Sequence, residues 1–444
     1  MHDKLADKPA GRFHYGWVVI FTGMLVTIGA HGFGRMAYTL ILPEMREGLG
    51  LTYAQLGLLS TGNFIGYLAC AVIGGFLAAR YGTRIVIPIS LLLMGITMLL
   101  TGAAQSFEFA FAMRLLTGMG NGGAYVPALA LGSTWFAMRR SGFATGIVSG
   151  GTGVGILLSG LIVPAIMVSY MTEAWRYSWY YLGSFVLIIA IMSAIFLRNR
   201  PEDIGLRLVG APPPEKPAGD DTAAAESADV PKDSQVKRAA PLQWGLVYRV
   251  KEVWYLGLVY SLYGFSYVIY MTFFVEFLYR EIGLSQVLAG SMYALAGTLS
   301  IFCGVIWGGI SDRLGRKYGA ALAYLALALS YVTFALFDSM FAFYVSLIIF
   351  GLSAWSIPTI MAAAAGDYVG PRLAPAGVGF VTLFFGVGQA LGPWLGGYIA
   401  DLTETFVYSF FLATAVSLLG MLCSLMLRKP DSAVIKRREA GVSS

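Results

Sequence analysis

His31 and Arg35 stand four residues apart in an otherwise apolar stretch, and Tyr38 follows three further on. Side chains four apart share one face of a helix. An imidazole can take up a proton near neutral pH, and a guanidinium suits two-pronged contact with a carboxylate. Arg114, Asn121 and Tyr125, spaced seven and four, make a similar set in another apolar stretch. Tyr260, Tyr263, Tyr267, Tyr270 and Phe274 fall three or four apart. Lipid-facing aromatics gather at the two membrane interfaces, so a tyrosine stripe at mid-depth points to a lined cavity. Asn63, Tyr67, Trp355 and Gln389 add polar groups in further apolar segments, with Ser353, Ser356 and Thr359 around Trp355.

The chemistry these types offer is the holding of a small anion, with His31 as candidate proton carrier. Other readings stay open at each position. Arg114 either meets the anion or braces backbone. Arg35 either faces the site or reaches outward along its stem. His31 either titrates or sits neutral between helices, and the tyrosines either line a cavity or pack. Glu276 and Arg280, four apart, read as a pair near the membrane surface. No zinc-ligand spacing occurs, and Cys70, Cys303 and Cys423 all lie in apolar stretches, so neither a metal nor a disulfide framework is expected.

The elements that must position these groups follow from composition. The chain has 444 residues, 57% hydrophobic and only 12% charged, with mean hydropathy +0.71. A soluble domain carries about twice that charge. A cytosolic enzyme, a nucleic-acid binder and a disordered scaffold are excluded. About 20 apolar residues cross a bilayer as a helix, and twelve such segments can be counted. Span one is read as 15–42, span four as 109–133, span seven as 253–278 and span ten as 341–365. The first apolar run is too long for a signal-peptide core. The expected fold is an all-α integral membrane protein of twelve transmembrane helices in two six-helix bundles. A tail (1–14) leads to the first bundle (15–197). A Pro-, Ala- and charge-rich linker (198–251), disordered in part, leads to the second bundle (252–428) and a second tail (429–444).

Lys and Arg set the orientation, because cytoplasmic loops carry them in excess. Of 30 such residues, 25 fall in the tails and in alternate loops, 3 in the opposite loops, and Arg35 and Arg114 inside spans. Both termini are therefore expected in the cytoplasm, in a bacterial inner membrane. The halves repeat. Gly75-Phe-Leu-Ala-Ala-Arg-Tyr-Gly-Thr-Arg84 follows span two, and Gly308-Gly-Ile-Ser-Asp-Arg-Leu-Gly-Arg-Lys317 follows span eight. Two copies at one place in each half argue for internal duplication, a common transporter design.

This pattern resembles the major facilitator superfamily across essentially the whole chain. Asp312, Arg313, Gly315, Arg316 and Lys317 match its loop motif, whereas Ala79 and Thr83 depart from it in the first copy. Arg114-Leu-Leu-Thr-Gly118-Met-Gly120 resembles its fourth-span segment. Phe13-His-Tyr-Gly-Trp17, Trp135-Phe136 with Arg139 and Arg140, and Arg200-Pro-Glu-Asp-Ile-Gly-Leu206 resemble the oxalate–formate and monocarboxylate transporter group. Gly34-Arg-Met-Ala-Tyr-Thr-Leu-Ile-Leu-Pro43 resembles a bacterial YbfB-type group. The resemblance implies that helices one, four, seven and ten line a central path. It also implies a gate latch of Arg80, Arg84, Asp312, Arg313 and Arg316. The expectation is a monomeric secondary transporter, not an enzyme. It would move a small, monocarboxylate-like organic anion by proton symport or exchange, without a cofactor. A P-loop pattern is absent. The alternative is an exporter of neutral or cationic amphipathic compounds driven by proton antiport, which calls for an acid deep in the cavity.

Overall fold

The structure, a computed structural model, describes residues 14–170, 172–211, 247–248, 250–370 and 373–427, without the side chains of residues 138, 139, 305 and 375. Both expected tails, apart from His14, and most of the linker lie outside the described residues. Twelve long helices follow one another: α1 Tyr15–Leu49, α2 Tyr53–Tyr81, α3 Thr83–Gly102, α4 Phe107–Trp135, α5 Met138–Ser169, α6 Ala174–Phe196, α7 Lys251–Glu281, α8 Gln286–Leu314, α9 Arg316–Leu336, α10 Met340–Val369, α11 Ala374–Thr403 and α12 Val407–Leu425. Eleven are long and apolar enough to cross a membrane. The other, α4, has the length at 29 residues, but Arg114, Asn121 and a run of glycines lower its hydropathy. Backbone groups in a bilayer must pair within the chain, so helices are the only open-ended solution for such segments.

Three central helices are irregular. Residues Ile28–Met36 of α1 form a π-helix, the last turn of α7, Phe277–Glu281, is another, and α10 breaks at Ala354 and Trp355. The break in α10 frees carbonyls, and side chains recapture them. Trp307 Nε1 donates to Leu352 O at 2.8 Å, Ser356 Oγ to Ser353 O at 2.6 Å, and the Tyr263 hydroxyl to Ala354 O.

The duplication is visible in the backbone. Gly82 turns α2 into α3 at φ 89°, ψ 149°, and Gly315 turns α8 into α9 at φ 88°, ψ 155°. L side chains rarely adopt this conformation. Within the halves α2 packs on α4, α3 on α6, α7 on α11 and α9 on α12, while α2–α11, α5–α8 and α1–α7 join them.

These joints lie toward one end of the molecule. We use "far face" for the end bearing the α1–α2 and α11–α12 turns, and "termini face" for the other. Between the halves, Thr39 Oγ1 donates to Met271 O at 2.8 Å and Tyr293 Oη to Met36 O at 2.8 Å. Asp401 at the end of α11 accepts from the first amides of α2, Tyr53 N at 2.8 Å and Ala54 N at 2.7 Å. A Cβ on Gly57 would fall 2.1 Å from Pro393 O, one on Gly397 2.1 Å from Tyr53 O, and one on Gly160 2.6 Å from Gly290 O. Small residues allow this close approach of membrane helices.

On the termini face the start of the linker is folded, not loose. Pro201–Ile204 form a 3-10 turn. Val209 pairs with the α4–α5 turn through Val209 N to Trp135 O and Ala137 N to Val209 O, both 3.0 Å. His14 Nε2 bonds Arg207 O at 3.1 Å, and the rings of Trp17 and Phe136 meet at 4.9 Å. The segments around residues 14–17, 135–137 and 200–209 thus form one staple on the first half.

Candidate substrate site between the halves

The π-helix of α1 carries both His31 and Arg35. Such bulges recur at functional sites. Gly29, Gly32 and Gly34 fall within it, and a Cβ on Gly32 would lie 2.4 Å from Gly155 Cα of α5. Arg35 Nη1 lies 3.2 Å from His31 Nε2. An arginine only donates, so Nε2 accepts. The hydrogen then belongs on Nδ1, which faces Asn121 Oδ1 at 3.4 Å. This network assigns a neutral imidazole beside a charged guanidinium. The His31 ring stacks on Tyr125 at 4.2 Å and meets the edge of Tyr67 at 5.9 Å.

Arg35 is 6% exposed. Its guanidinium lies 4.3 Å from the Phe64 ring and 5.1 Å from Tyr67. Nη2 donates to the Tyr267 hydroxyl at 3.4 Å, and Gln389 Nε2 donates to the same oxygen at 2.5 Å. Tyr267 stacks on Tyr263 at 4.7 Å and presents an edge to Trp355 at 5.9 Å. Among the described residues no acid pairs with Arg35. Arg35 Nε, Asn121 Nδ2 and Gln389 Oε1 are buried without partners. A buried cation with a free donor of its own, Nε, and a second on Asn121 suits an anionic group, while Gln389 Oε1 can accept from a hydroxyl of the solute.

The structure thus joins His31, Arg35, Asn121, Tyr125, Tyr263, Tyr267, Trp355 and Gln389. It does not bring in the rest. Arg114 Nη1 donates to Gly34 O at 2.9 Å, between the rings of Tyr38 at 4.6 Å and Trp179 at 5.1 Å. It therefore holds the backbone of the π-helix that carries Arg35. Asn63 Nδ2 bonds Arg114 O at 3.1 Å and ties α2 to α4. The expected tyrosine face divides after Tyr267. Tyr270 bonds Ser346 Oγ at 2.9 Å and packs on Phe334 and Phe350 inside the second half. Phe64 and Phe385 are walls that the residue patterns did not single out. Phe64 could have been found, because it sits three before Tyr67.

The expected Glu276–Arg280 pair is not formed. Arg280 Nη1 pairs with Glu47 of α1 at 2.7 Å, while Glu276 lies 4.0 Å from Arg46. The π turn moves residue 280 away from residue 276, and α1 offers closer acids. At the termini face Arg316 bridges Asp312 Oδ1 at 2.5 Å and Asp367 Oδ2 of α10 at 2.9 Å, beside a cleft of about 620 Å³. Arg80 and Arg84 sit at the corresponding place in the first half, where Arg84 N donates to Asn199 Oδ1 at 2.9 Å. The ion pairs described there do not include Arg80, Arg84 or Arg313.

Membrane-spanning helices in two halves, with polar groups buried between them, are the arrangement of a membrane transport protein. A family model described as Major Facilitator Superfamily matches residues 24–373 and again 256–443. The chain belongs to that superfamily, and it is a multi-pass membrane transporter. It is 26% identical to "Probable sulfoacetate transporter SauU" of Cupriavidus necator, over 88% of this chain and 89% of that one. It is 22% identical to "Hexuronate transporter" of Bacillus subtilis, over 89% and 91%. It is 21% identical to "Monocarboxylate transporter 12-B" of Danio rerio, over 90% and 84%. A crystal structure of a bacterial homologue of the human lysosomal transporter Spinster, inward-facing and unoccupied, shares the fold. Its TM-score is 0.74 at 16% identity, over 96% of this chain and 100% of that one.

Proposed function

We propose that the chain carries a small organic anion across a bacterial inner membrane, held by Arg35 and moved by alternating access. The observation that carries this reading is Arg35 itself, buried, without an acid partner among the described residues, its Nε free and the Asn121 amide nitrogen in the same cluster also unpaired. A charge at mid-membrane costs about 2.5–3.5 kcal/mol on insertion scales, and an arriving carboxylate or sulfonate offsets that cost. The names of the relatives support the same class, sulfoacetate, hexuronate and monocarboxylates all being anions. Lys and Arg placement supports a cytoplasmic termini face. In that orientation, with the halves joined toward the far face, the state described corresponds to an inward-facing one.

His31 is our candidate proton carrier. Neutral beside Arg35, it gains a reason to protonate when an anion arrives between them. Proton and anion would load and leave together. The alternative, an exporter of cationic or neutral amphipathic compounds, calls for a carboxylate at the site. Among the described residues in the cluster there is none. The test is a thermal-shift screen of purified protein against organic acids and matched neutral solutes, followed by uptake of hits into liposomes with and without an inward proton gradient. Stabilisation by acids alone, lost in Arg35→Gln, is the expected result. Stabilisation only by neutral or cationic solutes would reject the reading.

A further inference from the structure

Glu276, on the last α-helical turn of α7, is fully buried at 0% exposure. Both its carboxylate oxygens lack hydrogen-bond partners. The ionisable groups around it are Tyr38, Arg46 and Glu47 of α1, Tyr53 of α2, and Arg280 and Glu281 of α7. Each charged one has business elsewhere. Arg280 goes to Glu47 at 2.7 Å and Glu44 at 4.0 Å. Glu281 accepts from Thr405 Oγ1 and Phe406 N, both at 2.7 Å. The Arg46 guanidinium lies over the Tyr53 ring at 3.9 Å and reaches Glu276 only at 4.0 Å. Asp401, the acid at the end of α11, is held by Tyr53 N and Ala54 N.

A buried carboxylate without a donor is costly as an anion and far less so as a neutral acid. In the state described its side chain is out of contact with water, and its neighbours include groups of α1 and α2. We propose that Glu276 is a proton-binding site of the far gate, occupied when that face is closed and emptied to the far side when it opens. The step is a simple protonation: a proton from far-side water joins a carboxylate oxygen, and the neutral acid is then buried. The site exchanges with one side only, so it sets how readily the far face closes and does not carry a proton across. This is independent of the anion reading and of His31.

The test needs no substrate. Spin labels at Gln105→Cys and Asp338→Cys, on opposite halves of the far face, in protein whose three native cysteines are replaced, report its opening by pulsed electron resonance. The prediction is a far-open population that grows as pH rises. Glu276→Gln, a neutral mimic of the protonated group, should stay closed across the whole range. Arg46→Gln removes the nearest cation and should move the opening midpoint to higher pH. Wild-type opening that does not respond to pH overturns the proposal. So does a response that survives unchanged in Glu276→Gln or is lost only in His31→Gln.

Discussion

Arg35 and Arg114 are both buried cations of the first half, yet they do different work. Arg114 spends a donor on Gly34 O and lies between two rings. Arg35 keeps Nε free and faces hydroxyl and amide groups. Bonds to a charged group contribute about 1.5–3 kcal/mol, roughly tenfold to a hundredfold in affinity. Arg35→Gln should lower organic-anion affinity by that factor, measured by calorimetry, with the folded fraction unchanged. Arg114→Gln should instead lower thermal stability, by removing a bond that holds the π-helix. His31→Gln should still exchange anion at equal pH but lose accumulation driven by a pH gradient, as read by isotope uptake. Undiminished concentration of substrate in that variant would place the proton elsewhere. The polar members of the cluster were legible in the sequence, because a charged or amide side chain stands out in an apolar span. Phe64 and Phe385 carried no such mark. Nor could spacing tell Tyr267 from Tyr270, since the apolar window of α7 is 78% buried and protein surrounds it on nearly every side.

At the scale of elements, the contacts that matter are helix ends. Asp401 holds the first two free amides of α2 across the boundary between halves. A helix start leaves such amides unpaired and favours negative charge. Losing a cap costs about 1 kcal/mol. Asp401→Ala, which removes both acceptors, should therefore enlarge the far-open population roughly fivefold, read with the same pair of spin labels. On the termini face, Asp312 and Asp367 both engage Arg316, all within the second half. Asp312→Asn should slow cycling while leaving affinity nearly unchanged, because its carboxylate touches no group of the anion cluster. A large affinity loss in a conformationally locked preparation would contradict this. Helix number and the repeated loops were readable from hydropathy and motif spacing. The π-helix of α1 was not, since nothing in a glycine-rich apolar run distinguishes it from an ordinary helix. The segments that resemble the carboxylate-transporter group converge on the staple at the termini face. They report how the first half is fastened rather than what the site holds.

For the whole molecule, the halves touch through surfaces that have little side chain to yield. Gly57 and Gly397 lie directly on backbone of the opposite half. A valine at Gly397 cannot fit while the far face is closed, but meets nothing once the halves part. Gly397→Val, in protein whose native cysteines are replaced, should raise labelling of a cysteine introduced at the buried far-side joint, Thr39→Cys, by a membrane-impermeant reagent, with helix content by circular dichroism unchanged. Unaltered labelling in folded protein would show that the α2–α11 contact is not part of the gate.

The anion cluster also divides unevenly across the duplication. Its guanidinium and imidazole belong to α1, and its amide partner Asn121 to α4, all in the first half. The second half supplies Tyr267, Trp355 and Gln389, which shape and hydrogen-bond but bring no charge. On the proposed reading, two copies that began alike have thus diverged: the charge that tells a solute's sign comes from one, while walls come from both. If Arg35 holds the anion as proposed, a lineage built this way can change which anion it accepts by drifting in α7, α10 and α11, while Arg35 stays untouched in the other copy.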